Sequence, residues 1–591
     1  MQIGNHKGSQ EKLTQERLVK LLLDAELIDK RQQAEICLKS NRHLNEHPIR
    51  QVGELGIISS TNPGLELTSE YLAEWLAGQF SMDYLRIDPL KIDVDEVATV
   101  MSLNFAERHN ILAVEVAEEH IIVATSDLDD LDWVPDLEHV CKKQVQLVFA
   151  EPGAIKRYTK EFYNLSQSVK YASGTDFGGK SNVGNLEQLV ELSDQDEHDA
   201  NDQHIVRVVD WVLSYAFEQR ASDIHIEPRR EKGYIRFRID GVLHTVHDLP
   251  IDITKAVVSR LKILGRMDLA EKRRPLDGRI KTKNSDGEEI ELRLSTLPTA
   301  FGEKFVGRIF DPSVLLRDFH ELGMDDREQS LWLSMIEQPT GIVLVTGPTG
   351  SGKTTTLYTS LKRLATPDVN VCTLEDPIEM VEPSFNQMQI HHEIGVDFAS
   401  GIRSLLRQDP DIIMVGEIRD AETAEMAVQA ALTGHLVIST LHTNDAPLAI
   451  TRLLEIGVPS YLINATLLGV IAQRLVRLLC PSCKKPTIVN DDDWSSLVGN
   501  ANLEKPEQIY EAVGCDRCRN TGYKGRAGIY EMLAVNQEMN GLIRDQADSR
   551  SIRHQAVADG MNVLRVAGAM KVARGDTTLE EVFRVAPSVI D

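Results

Sequence analysis

The residues with the most specific chemistry lie at positions 347–354, in the run Gly-Pro-Thr-Gly-Ser-Gly-Lys-Thr. Gly347, Gly352, Lys353 and Thr354 fill the P-loop pattern G-x-x-x-x-G-K-[ST]. Glycines in such a loop let backbone N–H groups turn inward around phosphate oxygens, and the following helix N-terminus adds partial positive charge. Lys353 is expected to reach the β- and γ-phosphates, and Thr354 to hold Mg²⁺. The predicted site for ATP and Mg²⁺ consists of Gly347, Pro348, Thr349, Gly350, Ser351, Gly352, Lys353, Thr354 and Thr355.

Two cysteine pairs form a second candidate site. Cys480 and Cys483 make one C-x-x-C knuckle, and Cys515 and Cys518 make another. Four thiolates match a closed, tetrahedral structural zinc site. The gap between the pairs is longer than in compact zinc ribbons, so the segment around 491–508 must loop out. We predict bound Zn²⁺; the alternative is four reduced cysteines without a ligand in a cytosolic protein.

The P-loop must be positioned by a strand before it and a helix after it. Apolar β-branched runs predict strands at 342–346, 369–374, 412–415 and 436–441, with helical stretches between them. Alternating strands and helices predict a mainly parallel sheet whose ligand lies outside the carboxyl ends of the strands. Glu375, Asp376, Glu417 and His442 directly follow three of these strands. We therefore expect these side chains at the same edge as the P-loop.

The chain has 591 residues, which predicts several domains, and its composition is that of an ordinary globular protein. Its net charge of −26 argues against a general nucleic-acid binder. The N-terminal stretch has no basic region followed by an apolar core, so the sequence does not indicate a secretory signal. The longest apolar helical candidate, 461–472, is too short to span a bilayer and is predicted to be a buried core helix. These features predict a cytoplasmic protein that docks on a membrane through protein partners.

Changes in composition divide the chain into five segments. Residues 1–165 mix helices with a hairpin at 111–116 and 120–124, and predict a docking or regulatory domain. Residues 166–203 have few groups that could bury a face and predict a flexible acidic linker, with an acidic interaction tail as the alternative. A second α+β domain at 204–312, a linker at 313–325 and the P-loop domain at 326–591 follow.

The second domain is rich in arginine. An amphipathic helix at 205–216 precedes strands at 223–227 and 234–239, and Asp240-Gly241 predicts a tight turn. Arg236 and Arg238 alternate with apolar residues, so they lie on one strand face. A basic stretch at 271–279 ends in Arg279, which we expect at the tip of a turn after Asp277-Gly278. Arginines of this kind suit the binding of an anion, whereas the simpler interpretation is pairing with surface carboxylates.

Several further segments resemble one family. They are 373–379 (Thr-Leu-Glu-Asp-Pro-Ile-Glu), 405–411, 416–420, 433–435, 439–444, 221–228 (Ala-Ser-Asp-Ile-His-Ile-Glu-Pro) and 277–279. Together they are similar to the GspE/PilB family of the secretion ATPase superfamily, the type II secretion and type IV pilus assembly ATPases, from about residue 205 to the C-terminus. The resemblance implies a multidomain α/β protein with a RecA-like P-loop ATPase core, a preceding PAS-like α+β domain and an N-terminal α+β domain. It also implies a tetracysteine zinc insertion at 478–530 and C-terminal helices.

The resemblance also implies roles for individual side chains. Glu375, with Asp376 and Glu379 nearby, would be the aspartate-box carboxylate that positions or activates water. Glu417 would be the Walker B carboxylate, and His435 and His442 the histidine box that senses the nucleotide. The implied arginines are Arg273 and Arg279 from the second domain, and Arg403 and Arg407 from the ATPase domain.

The resemblance implies a homohexameric motor beneath an inner-membrane platform protein and a membrane-anchored docking partner, which moves pilins or pseudopilins without binding nucleic acid. The cysteine insertion and the long N-terminal part favour assembly over retraction. The alternatives are a nucleotide-gated scaffold with negligible turnover, and a retraction or DNA-translocating motor.

Cyclic-di-GMP binding by the N-terminal domain is a further alternative. Relatives that bind it carry an Arg-Leu-Gly motif in each of two helical half-repeats. Here Arg17-Leu18 is followed by Val19, and the echo at Gln51-Val52-Gly53 is incomplete. A helical domain that binds a protein partner is therefore the preferred interpretation.

Overall fold

The structure, a computed structural model, describes residues 13–39, 46–61, 65–127, 131–172, 203–283, 287, 289–310, 317–499, 501 and 503–587. The chain forms two compact units. The first comprises Met1–Glu288 and Leu292–Ile309, and the second comprises Glu289–Glu291 and Phe310–Asp591.

The first unit begins with a helical group. The hydroxyls of Thr14 and Thr68 accept hydrogen bonds from Arg17 N and Tyr71 N, which caps the first and fourth helices. Their apolar faces are fully buried, because residues spaced three and four apart share one side of a helix. The helices are α1 Gln15–Asp24, α2 Lys30–Lys39, α3 Pro48–Gly53 and α4 Ser69–Gln79.

A three-stranded sheet with four helices follows, in the order β1-β2-β3. The first two strands pair antiparallel, which confirms the predicted hairpin, and the third pairs parallel to the second. The last helix runs to Ala172, beyond the predicted domain boundary at 165. Residues 173–202 of the predicted linker, and 313–316 of the next one, lie outside the described residues. The elements are α5 Val94–Val97, α6 Leu103–His109, β1 Ile111–Val116, β2 His120–Thr125, α7 Val134–Cys141, β3 Gln144–Phe149 and α8 Pro152–Ala172.

The rest of the first unit is a six-stranded sheet in the order β6-β5-β4-β9-β8-β7. Asp240 and Gly241 both have positive φ, 48° and 85°, which confirms the predicted tight turn between β5 and β6. The elements are α9 Gln203–Glu218, β4 Asp223–Pro228, β5 Lys232–Ile239, β6 Val242–Pro250, α10 Ile251–Leu264, β7 Leu276–Lys283, β8 Glu289–Thr299 and β9 Gly302–Phe310.

The structure differs from the sequence prediction at Asp277-Gly278-Arg279. This segment lies inside the edge strand β7 and is not a turn. Gly278 is required there for another reason, because a Cβ atom would lie 2.6 Å from the carbonyl oxygen of Gly265 at the end of α10. Asp-Gly therefore marks a close approach between a strand and a helix end at this point.

The second unit is built on a seven-stranded sheet in the order β12-β11-β13-β14-β10-β15-β18. All neighbours pair parallel except β15 and β18, and the central strands are buried on both faces. The elements up to the fourth central strand are α11 Asp326–Ile336, β10 Gly341–Thr346, α12 Lys353–Leu364, β11 Val371–Glu375, β12 Asn386–Gln389, α13 Phe398–Leu405, β13 Ile412–Val415, α14 Ala421–Leu432 and β14 Leu436–Leu441.

The predicted core helix at 461–472 is wrong over its second half. A helix ends at Thr466, and the chain continues as a long strand that pairs with β10 on one side and β18 on the other. Val470 and Ile471 are β-branched and fully buried, so a short apolar run alone did not distinguish a buried strand from a buried helix. The elements are α15 Ala446–Glu455, α16 Ser460–Thr466, β15 Leu467–Leu479, β16 Lys485–Thr487, α17 Asp491–Val498, β17 Ile509–Glu511 and β18 Tyr523–Ala534.

The C-terminal helices are fastened to β15. Arg477 on β15 donates two side-chain hydrogen bonds to the buried carboxylate of Glu581, and Arg584 donates two more. Burial opposes the charge of Glu581, but these arginines hold its pKa at about 2. The helices are α18 Gln537–Leu542, α19 Ser549–Ala558, α20 Leu564–Arg574 and α21 Leu579–Val585.

Candidate functional site

The P-loop connects β10 to α12, as the sequence predicts. Gly347 and Gly352 have φ values of 147° and 90°, which side chains with a Cβ rarely adopt. A Cβ atom at these positions would lie 2.5 Å from Gln473 O and 2.7 Å from Gln473 Nε2. The two glycines are therefore required both by the loop conformation and by the strand against which the loop packs.

Gln473 on β15 holds the P-loop through hydrogen bonds of its side-chain amide. Its side chain is 1% exposed. Its Nε2 donates to Ser351 O at 2.8 Å, and its Oε1 accepts from Thr356 Oγ1 at 2.9 Å. One buried amide thus joins the loop to the first turn of α12, and loss of either bond would leave a buried polar group unsatisfied.

Lys353 is the first residue of α12, and its side chain reaches back to the P-loop. Its Nζ donates to Gly347 O at 2.8 Å and to Pro348 O at 3.2 Å. Burial lowers the pKa of Lys353, and the charges of Glu417 and Glu379 oppose that shift. The P-loop ammonium is therefore placed within the electrostatic reach of two carboxylates from other segments.

Glu417 follows β13 at the carboxyl edge of the sheet, as predicted. Its Oε1 pairs with Arg419, which raises the pKa of the Arg419 guanidinium. Its Oε2 is buried, has no hydrogen-bond partner among the described residues, and lies 3.4 Å from His442 Nε2. A buried carboxylate oxygen without a donor fits a site for Mg²⁺ or a bound water. The cation would neutralise its charge, and the water would donate the hydrogen bond that the protein does not provide.

The other predicted carboxylate, Glu375, has a different environment. It is 4% exposed at the end of β11. Tyr358 Oη lies 2.6 Å from its Oε2, and Thr373 Oγ1 and Gln387 Nε2 donate to its Oε1 at 2.7 and 3.0 Å. Both oxygens therefore accept hydrogen bonds from other side chains of the protein. Asp376 and Glu379 of the same segment are more exposed, and Glu379 is the one whose charge acts on Lys353.

The structure does not bring the two predicted histidines together. His442 follows the carboxyl end of β14, whereas His435 precedes its amino end, where Gly341 N donates to His435 O. The six residues of β14 separate them by about 20 Å. Within one chain, only His442 lies at the P-loop edge, because the carboxyl ends of β10 and β14 are in register.

The side chains of Arg403 and Arg407 donate hydrogen bonds to groups outside the P-loop of their own chain. Arg403 donates to Glu422 Oε1 at 2.6 Å, and Arg407 donates to the carbonyl oxygen of Arg403. Arg407 precedes a turn whose carbonyl groups, at Gln408 and Asp409, accept from Asn370 at the amino end of β11. Arg407 therefore lies at the amino edge of the sheet.

The arginines of the second domain lie in the first unit. Arg236 pairs with Glu227, and Arg238 pairs with Asp223 on the neighbouring strand β4. The side chain of Arg273 is 92% exposed, and its Nε lies 3.8 Å from Glu271 Oε1. Sequence reasoning missed Arg308 on β9, which donates to Asp223 at 3.0 Å. The signal that could have identified it is a single charged residue in the otherwise apolar run 305–310, Phe-Val-Gly-Arg-Ile-Phe.

The four cysteines of the two knuckles converge, as predicted. All four sulfur atoms lie within 4.8 Å of one another, and Cys480–Cys515 and Cys483–Cys518 are separated by 3.8 and 3.7 Å. Tetrahedral zinc with bonds of about 2.3 Å requires sulfur–sulfur distances of about 3.8 Å. Cys515 N and Gly522 N donate to Cys518 Sγ, which stabilises a thiolate there. The donor set and its spacing fit a structural zinc ion.

None of the helices in the described part of the chain combines the length and the apolar character needed to cross a bilayer.

Comparison with known proteins identifies the family. The protein family described as Type II/IV secretion system protein matches residues 198–584, well over half of the chain. The chain belongs to this family. A second match, to the MshEN domain, covers residues 80–169 of this secretion ATPase.

Curated relatives agree across nearly the full length. The secretion ATPase is 52% identical over 550 residues to the type IV pilus assembly ATPase TfpB of Acinetobacter baylyi, covering 93% of this chain and 94% of that protein. It is 39% identical to the type II secretion system protein E of Pseudomonas aeruginosa, covering 82% and 96%. Among solved structures, the pilus retraction motor PilT with bound ADP is 27% identical with a TM-score of 0.45, covering 64% of this chain and 97% of that one.

These matches confirm the resemblance, the multidomain α/β fold with a P-loop core, and the assignment as an ATP hydrolase. The secretion ATPase is thus an ATP-dependent motor of the class that drives assembly of a pilus or pseudopilus. The roles of individual site residues and the exact domain boundaries stay predictions.

Proposed function

We propose that this secretion ATPase drives the assembly of a type IV pilus. The observation that carries the proposal is the 52% identity to a type IV pilus assembly ATPase across almost the whole of both chains. Pseudopilus assembly in type II secretion is the second candidate, supported by the 39% identity to a type II secretion protein E. We further propose a homohexamer at the cytoplasmic face of the inner membrane, bound to a platform protein and a membrane-anchored docking partner.

ATP is proposed to bind on the P-loop between Gly347 and Thr355. Lys353 moves its ammonium from the loop carbonyls to the β- and γ-phosphates, where a compact cation is needed. Thr354 and Glu417 hold Mg²⁺, and the unpartnered Oε2 of Glu417 supports that assignment. Held by these residues, Mg²⁺ would supply positive charge to offset the negative charge that develops on the phosphate during transfer.

The carboxylate that orients the attacking water is proposed to be Glu379. Glu375, which the family resemblance first indicated, already accepts hydrogen bonds from protein side chains on both oxygens, so we do not assign the water to it. Glu379 belongs to the same aspartate box, and its charge acts on Lys353. A carboxylate near the P-loop ammonium is placed to accept a proton or a hydrogen bond from water.

The arginines Arg273 and Arg279, with Arg403 and Arg407, are retained as candidate contributors to turnover, and we add Arg308 to this set. Arginine suits transition-state charge because its planar fork stays protonated and binds phosphate oxygens in pairs. Arg403 is paired with Glu422, and Arg407 lies at the amino edge of its own sheet, so we assign their contribution to a neighbouring copy in the homohexamer. The N-terminal domain is proposed to bind a protein partner, since the Arg-Leu-Gly motif for cyclic-di-GMP is incomplete.

Zinc is proposed at Cys480, Cys483, Cys515 and Cys518. Metal analysis of protein purified without chelator should give about one zinc per chain, because the four sulfurs already have tetrahedral spacing. A Cys483→Ser, Cys515→Ser variant should lose the zinc and melt at a lower temperature. Cys372→Ser, a buried cysteine outside the cluster, serves as the control and should retain it. Zinc-free wild-type protein would refute the assignment.

The test of the pilus assignment replaces the native gene by the Lys353→Ala variant in the host. We expect surface pili to disappear while export of type II secretion substrates continues, and the wild-type gene should restore pili. Normal piliation with lost secretion would instead establish the pseudopilus alternative.

A further inference from the structure

The aspartate-box loop, residues 376–385 between β11 and β12, is held mainly by side chains. Glu379 N donates to Glu375 Oε2 at 3.4 Å, and Glu382 N donates to Gln387 Oε1 at 2.7 Å. Met380 O lies 2.8 Å from Gln387 Nε2 and 3.0 Å from Tyr358 Oη. The backbone on both sides of Glu379 is therefore fixed by three side chains from outside the loop.

These three side chains form one hydrogen-bond network, in which Tyr358 and Glu375 are buried and Gln387 is half-buried. Tyr358 Oη lies 2.6 Å from Glu375 Oε2, and Gln387 Nε2 lies 3.0 Å from Glu375 Oε1 and 3.1 Å from Tyr358 Oη. Tyr358 is 1% exposed and Glu375 4%. Burial, followed by the charge of Glu375, raises the pKa of Tyr358 far above its ordinary value, so the phenol remains a donor at any working pH.

Tyr358 links this network to the P-loop. It lies on α12, which begins at Lys353, and it follows Thr354 by four residues. Residues four apart stack on one helix face about one turn from each other. The same rigid helix therefore carries the proposed Mg²⁺ ligand at its start and the hydroxyl that holds the aspartate-box loop one turn later.

We propose that Tyr358, Glu375 and Gln387 are positioning residues that hold Glu379 in register with the P-loop. They do so by joining α12 to the backbone of the aspartate-box loop. Glu375 is then the buried anchor of the loop and not the group that acts on water. This inference rests on the proposed role of Glu379 in hydrolysis.

A purely structural role for the network predicts different behaviour. The ring of Tyr358 packs against Phe385, with centroids 5.8 Å apart, and this contact does not need the hydroxyl. If the network only stabilised the fold, removal of one hydroxyl would lower the melting temperature without a selective loss of turnover. A positioning role instead lowers kcat while nucleotide affinity is retained, because Lys353 and the P-loop are untouched.

The first experiment measures kcat, the Kd for ATP and the melting temperature of the full-length Tyr358→Phe variant. We expect kcat to fall about tenfold while the Kd changes by less than about twofold. Gln387→Met provides a second variant with the same expectation. Tyr523→Phe is the matched control, since it removes a half-buried hydroxyl bonded to Thr578 at 2.8 Å, and it should retain wild-type kcat. Wild-type kcat in folded Tyr358→Phe and Gln387→Met, or a parallel loss of affinity, would overturn the proposal.

The second experiment repeats Tyr358→Phe in the Glu379→Gln background. Residues that act through Glu379 should have no further effect on kcat once that carboxylate is gone, so the double variant should match Glu379→Gln alone. An additional tenfold loss would overturn the proposal while leaving the role of Glu379 intact. Unchanged turnover in Glu379→Gln alone would contradict the proposed function of that residue, and the two failures are thereby distinguished.

Discussion

The P-loop follows β10 and the aspartate-box loop follows β11 of the same sheet, with β13 and β14 between them, and the two loops are held in different ways. The P-loop is shaped by its own backbone, with Gly347 and Gly352 at positive φ and α12 starting directly after it. The aspartate-box loop depends on Tyr358, Glu375 and Gln387, which come from three different elements. A contiguous motif therefore defines the first loop, whereas the second is defined only once the chain has folded.

The difference between the two loops predicts that nucleotide binding and hydrolysis depend on different residues. Groups of the P-loop contact the nucleotide in its ground state, so their loss should weaken affinity. Glu379 of the aspartate-box loop and Glu417 are proposed to act on water and metal, so their loss should slow turnover with nucleotide still bound. Variants on the two sides should fall into these two kinetic classes.

The largest effect is expected from Lys353→Ala. The ammonium is the compact counter-ion for the β- and γ-phosphates, and its removal should weaken ATP binding by ~100-fold or more. Titration with a fluorescent ATP analogue measures this directly. Unchanged ATP affinity in a folded variant would contradict the proposal that the P-loop binds the nucleotide.

Glu417→Gln should have the next largest effect, on turnover alone. An amide cannot hold the metal or accept a proton as a carboxylate does, so hydrolysis should slow by on the order of 10²-fold while ATP stays bound. Phosphate release and nucleotide retention are measured on the same preparation. Wild-type turnover would assign the catalytic carboxylate elsewhere, and weakened binding would place Glu417 with the P-loop group.

A smaller effect on turnover is expected from replacing the histidines. His442 and His435 lie at opposite edges of the sheet, so their variants should differ. His442→Ala should lower turnover roughly tenfold, since His442 lies beside Glu417. His435→Ala should have a smaller effect, because His435 Nδ1 lies 2.8 Å from Ala430 O at the amino edge. Equal losses would indicate that His435 reaches a site in a neighbouring copy.

The sequence was sufficient where chemistry and spacing are local. The P-loop, the four converging cysteines, strand β11 that ends at Glu375 and strand β13 that precedes Glu417 could all be predicted, since each is carried by a short continuous pattern. The sequence was insufficient where the role of a side chain depends on its burial and its hydrogen-bond partners in the folded protein. Glu375 and Glu379 belong to one motif, and only the fold shows that the first receives buried donors. Likewise, His435 and His442 are close in sequence, but an intervening strand separates them.

The most direct test of this account compares Glu379→Gln with Glu375→Gln in a single-turnover ATP hydrolysis assay, with ATP affinity and melting temperature measured alongside. We expect Glu379→Gln to slow hydrolysis by about 100-fold or more with normal stability, because it removes the carboxylate proposed to act on water. Glu375→Gln should slow it by only about tenfold and lower the melting temperature, since it disturbs a buried network. A Glu379→Gln variant with wild-type hydrolysis, beside a stable and inactive Glu375→Gln variant, would contradict the account.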